Sequence, residues 1–220
     1  MSKKALIVLN FKLYPEAVGR AALALAQKIS KVKKNGYEII VVPSLVMMKE
    51  LAGRANLTVF SQHVDPVELG AQTGKIAIDE LQEMGISGSL INHSERKVSL
   101  SALKEVIEKA RQKKFTLIVC ASSLSEAKKI AVLKPAYLAY EPPELIGGDI
   151  SVCSAQPDII VKVVEMVKKV SPQTKVLCGA GVIKKEDVGQ ALLFGMEGVL
   201  IGHAMPKAKD PKQFLEELLW

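Results

Sequence analysis

The sequence predicts an α/β protein built as one (β/α)8 barrel, in which eight parallel strands alternate with helices. Three observations support this fold class. Short apolar runs alternate with amphipathic helical stretches along the whole chain. The alternation recurs eight times, at a spacing of roughly 27 residues. No linker and no change of composition divides the 220 residues, so we predict a single domain that covers residues 1–220.

Each predicted strand is a short run of β-branched and other apolar residues, which is typical of strands buried on both faces of a parallel sheet. Asn10 halts the first run, and Pro43 halts the second. The strands are expected, in chain order, at residues 5–9, 38–42, 57–61, 88–92, 115–121, 136–140, 176–178 and 198–201.

The predicted helices carry apolar residues at helical spacing and lysines near their ends. They are expected at residues 17–34, 44–51, 76–84, 100–113, 125–133, 157–170, 184–194 and 211–219. Ser44 is expected to cap the second helix. Asn35 and Gly36 are expected to stop the first, because glycine tolerates the left-handed conformation that often ends a helix.

An open, doubly wound sheet is the alternative architecture. Its dinucleotide-binding version needs the pattern G-x-G-x-x-G after the first strand, and this chain has Asn10-Phe11-Lys12 there. The closed barrel is therefore favoured. Such a barrel builds its active site at the carboxyl ends of its strands, so functional residues are expected there.

The composition argues against several classes of function. The net charge is +7, but the lysines cluster at helix ends and aromatic residues make up only 5% of the chain, so nucleic-acid binding is not expected. No stretch is long and apolar enough to span a bilayer. Three cysteines without C-x-x-C spacing favour a reducing, cytoplasmic location. The three histidines lack the spacing of metal ligands, so no metal is expected.

Polar and glycine residues follow five of the predicted strands. They are Asn10 and Lys12 after the first strand, His93 and Glu95 after the fourth, Glu141 after the sixth, Gly179, Ala180 and Gly181 after the seventh, and Gly202 and His203 after the eighth. One barrel mouth would then hold a carboxylate base, a cation, an imidazole and backbone amides suited to a phosphate. This combination favours proton abstraction next to a carbonyl on a phosphorylated substrate. Individually, Lys12 could be a surface lysine and His93 a structural histidine.

The segment after Glu141 has the character of a lid over this mouth. Pro142 restricts Glu141 to extended conformations, while Gly147 and Gly148 free the chain at the other end. Residues 142–150, which we call the lid, could close over a ligand and exclude water. A plain connection between a strand and a helix, with a solvated Glu141, is the alternative.

The chain resembles the triosephosphate isomerases, whose fold is the TIM barrel. The resemblance covers nearly the whole chain and rests on four motifs and two glycine turns, in the order of the family: Asn10-Phe11-Lys12, Gly70-Ala71-Gln72-Thr73-Gly74, Asn92-His93-Ser94-Glu95-Arg96, Ala139-Tyr140-Glu141-Pro142 and the turns after strands seven and eight. The short length, the lid sequence Pro142-Pro143-Glu144-Leu145-Ile146-Gly147 and Cys178-Gly179-Ala180-Gly181 are similar to the compact archaeal branch.

The resemblance implies interconversion of dihydroxyacetone phosphate and D-glyceraldehyde 3-phosphate without a cofactor, in glycolysis and gluconeogenesis. It assigns Glu141 as the base, His93 as the group that serves the enediolate oxygens, and Lys12 as the cation that stabilises negative charge. Asn10 would position substrate, and Glu95 would lie near Lys12. The phosphate would meet Gly147, Gly181, Gly202 and His203.

The resemblance also implies a homo-oligomer, and the compact branch favours a tetramer over a dimer. Thr73 lies in the third loop, whose counterpart in the family inserts into a neighbouring subunit; a mobile surface loop is the alternative. The chain departs from longer family members at Glu144, Asp149, Gly181 and the pair Gly202 and His203. An aspartate near a phosphate is unfavourable unless its side chain points away. The sequence therefore does not predict which contacts the closed lid makes.

Two other functions compete with this one. A different phosphosugar enzyme on the same barrel would need another acid and base at the strand ends. A non-enzymatic scaffold with a basic surface would bind nucleic acid in a salt-dependent way and would be indifferent to Glu141→Gln.

Overall fold

The computed structural model describes residues 4–54, 57–146 and 151–219, and of Val152 the backbone only. Eight parallel strands form the centre. They are β1 (Leu6–Asn10), β2 (Glu38–Val42), β3 (Thr58–Val59), β4 (Gly88–Ile91), β5 (Thr116–Ala121), β6 (Tyr137–Tyr140), β7 (Lys175–Cys178) and β8 (Gly198–Ile201).

The strands form a nearly closed barrel. Their order is β3-β2-β1-β8-β7-β6-β5-β4, and every pair is parallel. An isolated parallel bridge between Ser61 and Ser89 links the β3 side to β4. There the Ser61 N–H donates to the Gly88 carbonyl at 2.9 Å, and the Leu90 N–H donates to the Ser61 carbonyl at 2.8 Å. The prediction of a barrel rather than an open sheet is confirmed.

Helices lie between the strands, as the alternation predicts. They are α1 (Gly19–Ser30), α2 (Met48–Ala52), α3 (Ile78–Glu83), α4 (Leu100–Gln112), α5 (Leu124–Val132), α6 (Val152–Ala155), α7 (Pro157–Val170), α8 (Lys185–Leu193) and α9 (Pro211–Leu219). Short 3-10 turns at Pro15–Ala17, Leu45–Met47 and Pro143–Leu145 complete the described elements.

The first helix ends earlier than predicted. It stops at Ser30, where the Lys31 and Val32 N–H groups tighten onto the carbonyls three residues before them. Asn35 and Gly36 do adopt left-handed conformations, with φ of 41° and 88°, but within a separate turn. The chain must reverse here because the next strand begins beside Ala5, whose carbonyl accepts from Glu38 N–H at 2.9 Å.

Three other local features of the structure differ from what the sequence predicts. Ser44 precedes the 3-10 turn, but its hydroxyl does not cap it. Among the described residues, the buried Ser44 Oγ has no hydrogen-bond partner. β3 is only two residues long, and the four-residue helix α6 was not predicted. Elements this short carry too little periodicity to be read from sequence.

The strands separate two apolar layers. Alternate side chains fill the barrel interior, and those between them pack against the helices; the interior set is Leu6, Val8, Ile40, Val42, Phe60, Leu90, Ile118, Cys120, Ala139, Leu177 and Leu200. Because side chains alternate along a strand, the residue two positions after an interior residue also faces inward. Asn10, Glu141, Gly179 and Gly202 each stand in that position at the carboxyl end of a strand.

Two further findings concern the described part of the chain. No helix there has the length and the apolar character that crossing a bilayer requires. The thiols of Cys120, Cys153 and Cys178 are free and buried.

Candidate active site

A pocket opens at the carboxyl ends of the strands, where the sequence places the candidate residues. Its walls include Asn10, Lys12, His93, Glu141, Ile146, Gly179, Gly181, Gly202 and His203. Glu95 lies beside it, against Lys12. The structure thus brings together every predicted site residue that it describes. Gly147, the remaining predicted phosphate contact, lies outside the described residues.

Glu141 is a buried carboxylate at the end of β6. Its N–H donates to the Ala121 carbonyl at 2.8 Å, which extends the strand pairing by one residue and fixes the backbone. The residue is 2% exposed. Burial raises the pKa of the Glu141 carboxyl to about 7, although the Cys120 thiol and the Lys12 ammonium partly offset this effect. A carboxylate that is so poorly solvated is a stronger base than an ordinary glutamate.

One oxygen of this carboxylate faces the imidazole. Glu141 Oε1 lies 3.7 Å from His93 Nε2. The other oxygen, Oε2, has no hydrogen-bond partner among the described residues. A buried carboxylate oxygen without a hydrogen-bond partner is poorly solvated, which favours the protonated form of Glu141.

His93 is held as a neutral imidazole. Its Nδ1 accepts a hydrogen bond from the Glu95 N–H at 3.2 Å, so the proton of the neutral ring resides on Nε2, the nitrogen that faces Glu141. Burial, followed by the Lys12 charge, lowers the pKa of His93 to about 4. The ring can therefore donate from Nε2 without carrying a positive charge at neutral pH.

Lys12 lies on the other side of the pocket, at the end of the loop after β1. Its backbone is left-handed, with φ of 46°, and its N–H donates to Asn10 Oδ1 at 3.0 Å. Gln62 Nε2 donates to the Lys12 carbonyl at 3.1 Å, which holds this conformation from the β3 side. The Lys12 ammonium contacts Glu95 Oε1 at 2.7 Å. Asn10 and Gln62 thus aim the side chain into the pocket.

The turn after β7 supplies two features that suit a phosphate. Gly181 has φ of 69°, a conformation that favours glycine. Just beyond it, the Ile183 and Lys184 N–H groups donate to Asp187 Oδ2 at 3.0 and 3.1 Å, so α8 starts directly after the turn. The turn lines the pocket from Gly179 to Val182, so α8 begins three residues beyond the pocket wall.

The turn after β8 separates Gly202 and His203 from the next helix. Residues 203–207 form a turn, closed by a hydrogen bond from Lys207 N–H to the His203 carbonyl at 3.1 Å, and α9 starts at Pro211, as predicted. A methyl group built on Gly202 would lie 3.5 Å from Lys12 Cε. The lysine side chain therefore passes next to this glycine turn.

Gly179 is a functional residue whose role sequence reasoning missed. A Cβ at this position would lie 2.3 Å from Glu141 Cγ. The missing side chain therefore makes the space that Glu141 occupies. The signal in the sequence is a glycine at the inward-facing position directly after β7, but the neighbour that needs the space is 38 residues away and only the fold identifies it.

No candidate metal centre is present within the described residues, because no three acidic, histidine or cysteine side chains there are grouped closely enough to hold an ion.

Comparison with known proteins shows the family of the chain. The family profile described as triosephosphate isomerase matches residues 5–218. The triosephosphate isomerase of Methanothermus fervidus is 41% identical over 217 residues, which cover 98% of each chain. That of Methanocaldococcus jannaschii is 39% identical over 215 residues, with 97% of this chain and 98% of the relative covered. That of Archaeoglobus fulgidus is 38% identical over 220 residues, with 100% and 99% covered. The chain therefore belongs to the triosephosphate isomerase family.

Proposed function

We propose that Glu141, His93 and Lys12 carry out the reaction of the family, the interconversion of dihydroxyacetone phosphate and D-glyceraldehyde 3-phosphate through an enediolate. The observation that supports this most is the buried pair of Glu141 and His93, 3.7 Å apart, in a pocket that also holds the Lys12 ammonium. The pairing of a glutamate base with a neutral histidine is established for triosephosphate isomerases as a family.

Glu141 acts as the base. In the ketose-to-aldose direction its carboxylate removes a proton from C1 of dihydroxyacetone phosphate, and the C–H electrons form the C1–C2 double bond of the enediolate. The protonated Glu141 then returns the proton to C2. The raised pKa of the Glu141 carboxyl favours the first step, since a more basic carboxylate takes a carbon-bound proton more readily.

His93 and Lys12 act on the oxygen atoms of the substrate. The Nε2–H of His93 donates to the substrate oxygen that becomes negative, and moves a proton between the O1 and O2 positions. The Lys12 ammonium stabilises the same developing charge. Asn10 positions the substrate oxygen through its amide, and Glu95 holds the Lys12 side chain through the contact at 2.7 Å.

The phosphate group binds backbone amides at the turns after β7 and β8. Gly181, Gly202 and His203 line the pocket, and the family resemblance adds Gly147 of the lid. Closure of the lid keeps water from the enediolate, which otherwise eliminates phosphate. Glu144, where longer relatives carry tryptophan, is exposed and thus compatible with this arrangement. The reaction uses no cofactor and no metal.

The test is the isomerisation of D-glyceraldehyde 3-phosphate by the purified protein beside Glu141→Gln. Removal of the base is expected to lower kcat by about 10²- to 10⁴-fold. Glu108→Gln, an equal change on the exposed face of α4, is the matched control and should leave kcat unchanged. A mimic of the enediolate, 2-phosphoglycolate, should inhibit the wild type.

Two outcomes would favour the competing functions. A folded wild-type protein that binds 2-phosphoglycolate but does not isomerise the substrate would be a different phosphosugar enzyme. A protein with neither property, but with salt-dependent binding to nucleic acid, would be a scaffold.

A homo-oligomer in the cytoplasm is the proposed state of the protein, with a tetramer favoured over a dimer. Leu13, Val46 and Leu69 are 73%, 90% and 68% exposed, which is unusual for large apolar side chains. Leu13 also lines a second cavity of about 350 Å³, next to the catalytic pocket, with Leu45 and Gln62. The exposed loop that carries Thr73 could fill this cavity in a second copy. Sedimentation velocity would test the proposal, and a mass of one chain at micromolar concentration would contradict it.

A further inference from the structure

A carboxylate outside the catalytic pocket collects an unusual number of hydrogen bonds. Glu126 lies in the first turn of α5. Its Oε2 accepts from the Ser122 N–H at 2.7 Å and from the Ser122 hydroxyl at 2.6 Å. Its Oε1 accepts from Asn92 Nδ2 at 2.8 Å. Lys97 Nζ lies 3.0 and 2.9 Å from the two oxygens. These bonds overcome the effect of partial burial and lower the pKa of the Glu126 carboxyl to about 2, so it is ionised at every physiological pH.

This carboxylate is not needed to start its own helix. Ser123 is the cap of α5, and its hydroxyl accepts from the Glu126 N–H at 3.2 Å. The Glu126 side chain accepts two hydrogen bonds from Ser122, directly before that cap, but its contacts extend further. It also reaches Asn92 and Lys97, which lie 34 and 29 positions earlier in the chain, on the loop that follows β4. The helix α5 does not need these long-range contacts in order to begin.

The loop that Glu126 contacts is the one that carries His93. Asn92 directly precedes His93 and adopts a left-handed conformation with φ of 60°, which asparagine tolerates better than most residues with a side chain. Three contacts of its side chain hold this conformation. Asn92 Nδ2 donates to Glu126 and also to the Cys120 carbonyl at 2.9 Å, and Asn92 Oδ1 accepts from the Val98 N–H at 3.1 Å.

We propose that Glu126 is a positioning residue for His93. It holds Asn92 on one side of the loop and Lys97 on the other, and thereby fixes the backbone from which the imidazole reaches toward Glu141. The chain of contacts runs from Glu126 to Asn92 by a hydrogen bond of 2.8 Å and from Asn92 to His93 by one peptide unit. Glu126 does not touch the substrate.

The expected effect falls on the chemical step. His93 acts at the substrate oxygens, whereas the phosphate binds at the turns after β7 and β8, which Glu126 does not contact. A misplaced imidazole should therefore lower kcat and leave KM nearly unchanged, because transition-state stabilisation is lost while phosphate binding is kept.

The experiment compares Glu126→Gln, Glu126→Asp and the control Glu108→Gln. Gln keeps the shape of the side chain but loses the charge that Lys97 and Ser122 contact, and kcat should fall about tenfold with KM within about twofold. Asp keeps the charge with a shorter reach, so Glu126→Asp should retain more of kcat than Glu126→Gln. It also provides a folded variant if Glu126→Gln does not fold. An unchanged kcat in folded Glu126→Gln, or a loss no greater than that of Glu108→Gln, would overturn the proposal.

A spectroscopic measurement separates positioning from mere stability. Nitrogen-15 NMR of labelled histidine reports which ring nitrogen of His93 carries the proton. The wild type should show a neutral ring with the proton on Nε2, and Glu126→Gln should change the His93 shifts. A variant with a lower Tm but unaltered His93 resonances and unaltered kcat would show that Glu126 is only structural.

The inference rests on the proposed role of His93, so His93→Gln belongs in the same assay. If His93→Gln is as active as the wild type, the proposed function of His93 fails. If His93→Gln is inactive while Glu126→Gln is fully active, only the positioning role of Glu126 fails.

Discussion

Burial acts on the two central residues of the pocket in opposite directions. It disfavours the charged form of each group, so the pKa of the Glu141 carboxyl rises to about 7 and the pKa of the His93 imidazole falls to about 4. One physical cause thus provides a strong base and a neutral donor side by side. The cost is that part of the base is protonated at neutral pH.

This cost predicts the pH dependence of the reaction. Only ionised Glu141 can accept a proton, so kcat/KM should rise with pH, reach half its plateau near pH 7 and stay level above. His93 is neutral throughout that range and adds no second limb. Carbon-13 NMR of labelled glutamate, with Glu141→Gln as the blank, would identify the group that titrates. A midpoint near 4.5, the ordinary value for glutamate, would contradict the role of burial.

The space beside Glu141 predicts the effect of one added methyl group. Gly179→Ala would place a Cβ 2.3 Å from Glu141 Cγ, so the carboxylate must move, and kcat should fall at least about tenfold. Gly189→Ala is the matched control because nothing lies within 4 Å of its added Cβ. That change, inside α8, should be neutral or stabilise by roughly 0.5–1 kcal/mol. Equal activity of the two variants would show that Glu141 does not need the space.

At the level of elements, two serines that look alike in sequence differ in the structure. The Ser123 hydroxyl caps α5, whereas the Ser44 hydroxyl is buried and has no partner among the described residues. Ser123→Ala should therefore lower the free energy of unfolding by about 1 kcal/mol. Ser44→Ala should leave it unchanged or raise it, because an unsatisfied buried hydroxyl is removed. Urea unfolding of both variants checks the contrast, and an equal loss would contradict it.

Sequence reasoning predicted the strands better than the ends of the helices. The strands were predicted in the right order because most of them are apolar runs whose burial on both faces leaves a strong local signal, whereas the two-residue β3 was predicted too long. Helix ends were less predictable. α1 stops at Ser30 because the chain must turn toward β2, a tertiary requirement that the lysine-rich stretch after it does not reveal.

The same distinction applies to the site. Asn10, Lys12, His93 and Glu141 could be predicted because they follow strands of a barrel, and the barrel itself could be predicted. The roles of Gly179 and Glu126 could not. Their significance comes from contacts with residues about 30 to 40 positions away, Glu141 and Asn92, and no local pattern encodes such a pair.

For the whole molecule, the buried Glu141 carboxylate is a source of instability. Because the pKa of Glu141 is raised in the folded state from 4.5 to about 7, ionisation favours unfolding. The stability contributed by the protonated form is complete below the unfolded pKa and is lost as pH rises through about 7. The shift corresponds to at most ~3 kcal/mol.

Glu141→Gln should therefore produce an inactive protein that is more stable than the wild type. At pH 8 the free energy of unfolding should rise by about 1–3 kcal/mol, and Tm by at least about 3 °C. At pH 5 the gain should be smaller, because the carboxyl of the folded wild type is then protonated. Thermal unfolding at both pH values measures the difference. A variant that is less stable than the wild type at pH 8 would mean that the ionised carboxylate is well accommodated.

The pairing of β1 with β8 has a consequence for how the protein is made. Residues 6 and 198 lie side by side in the barrel, so the first strand to leave the ribosome gains its second neighbour only when the last strand has been synthesised. Until then the edge of β1, a run of five buried residues, is exposed to other chains. Nascent chains that stall before residue 198 should therefore aggregate or recruit chaperones, whereas completed chains close the barrel and remove the edge.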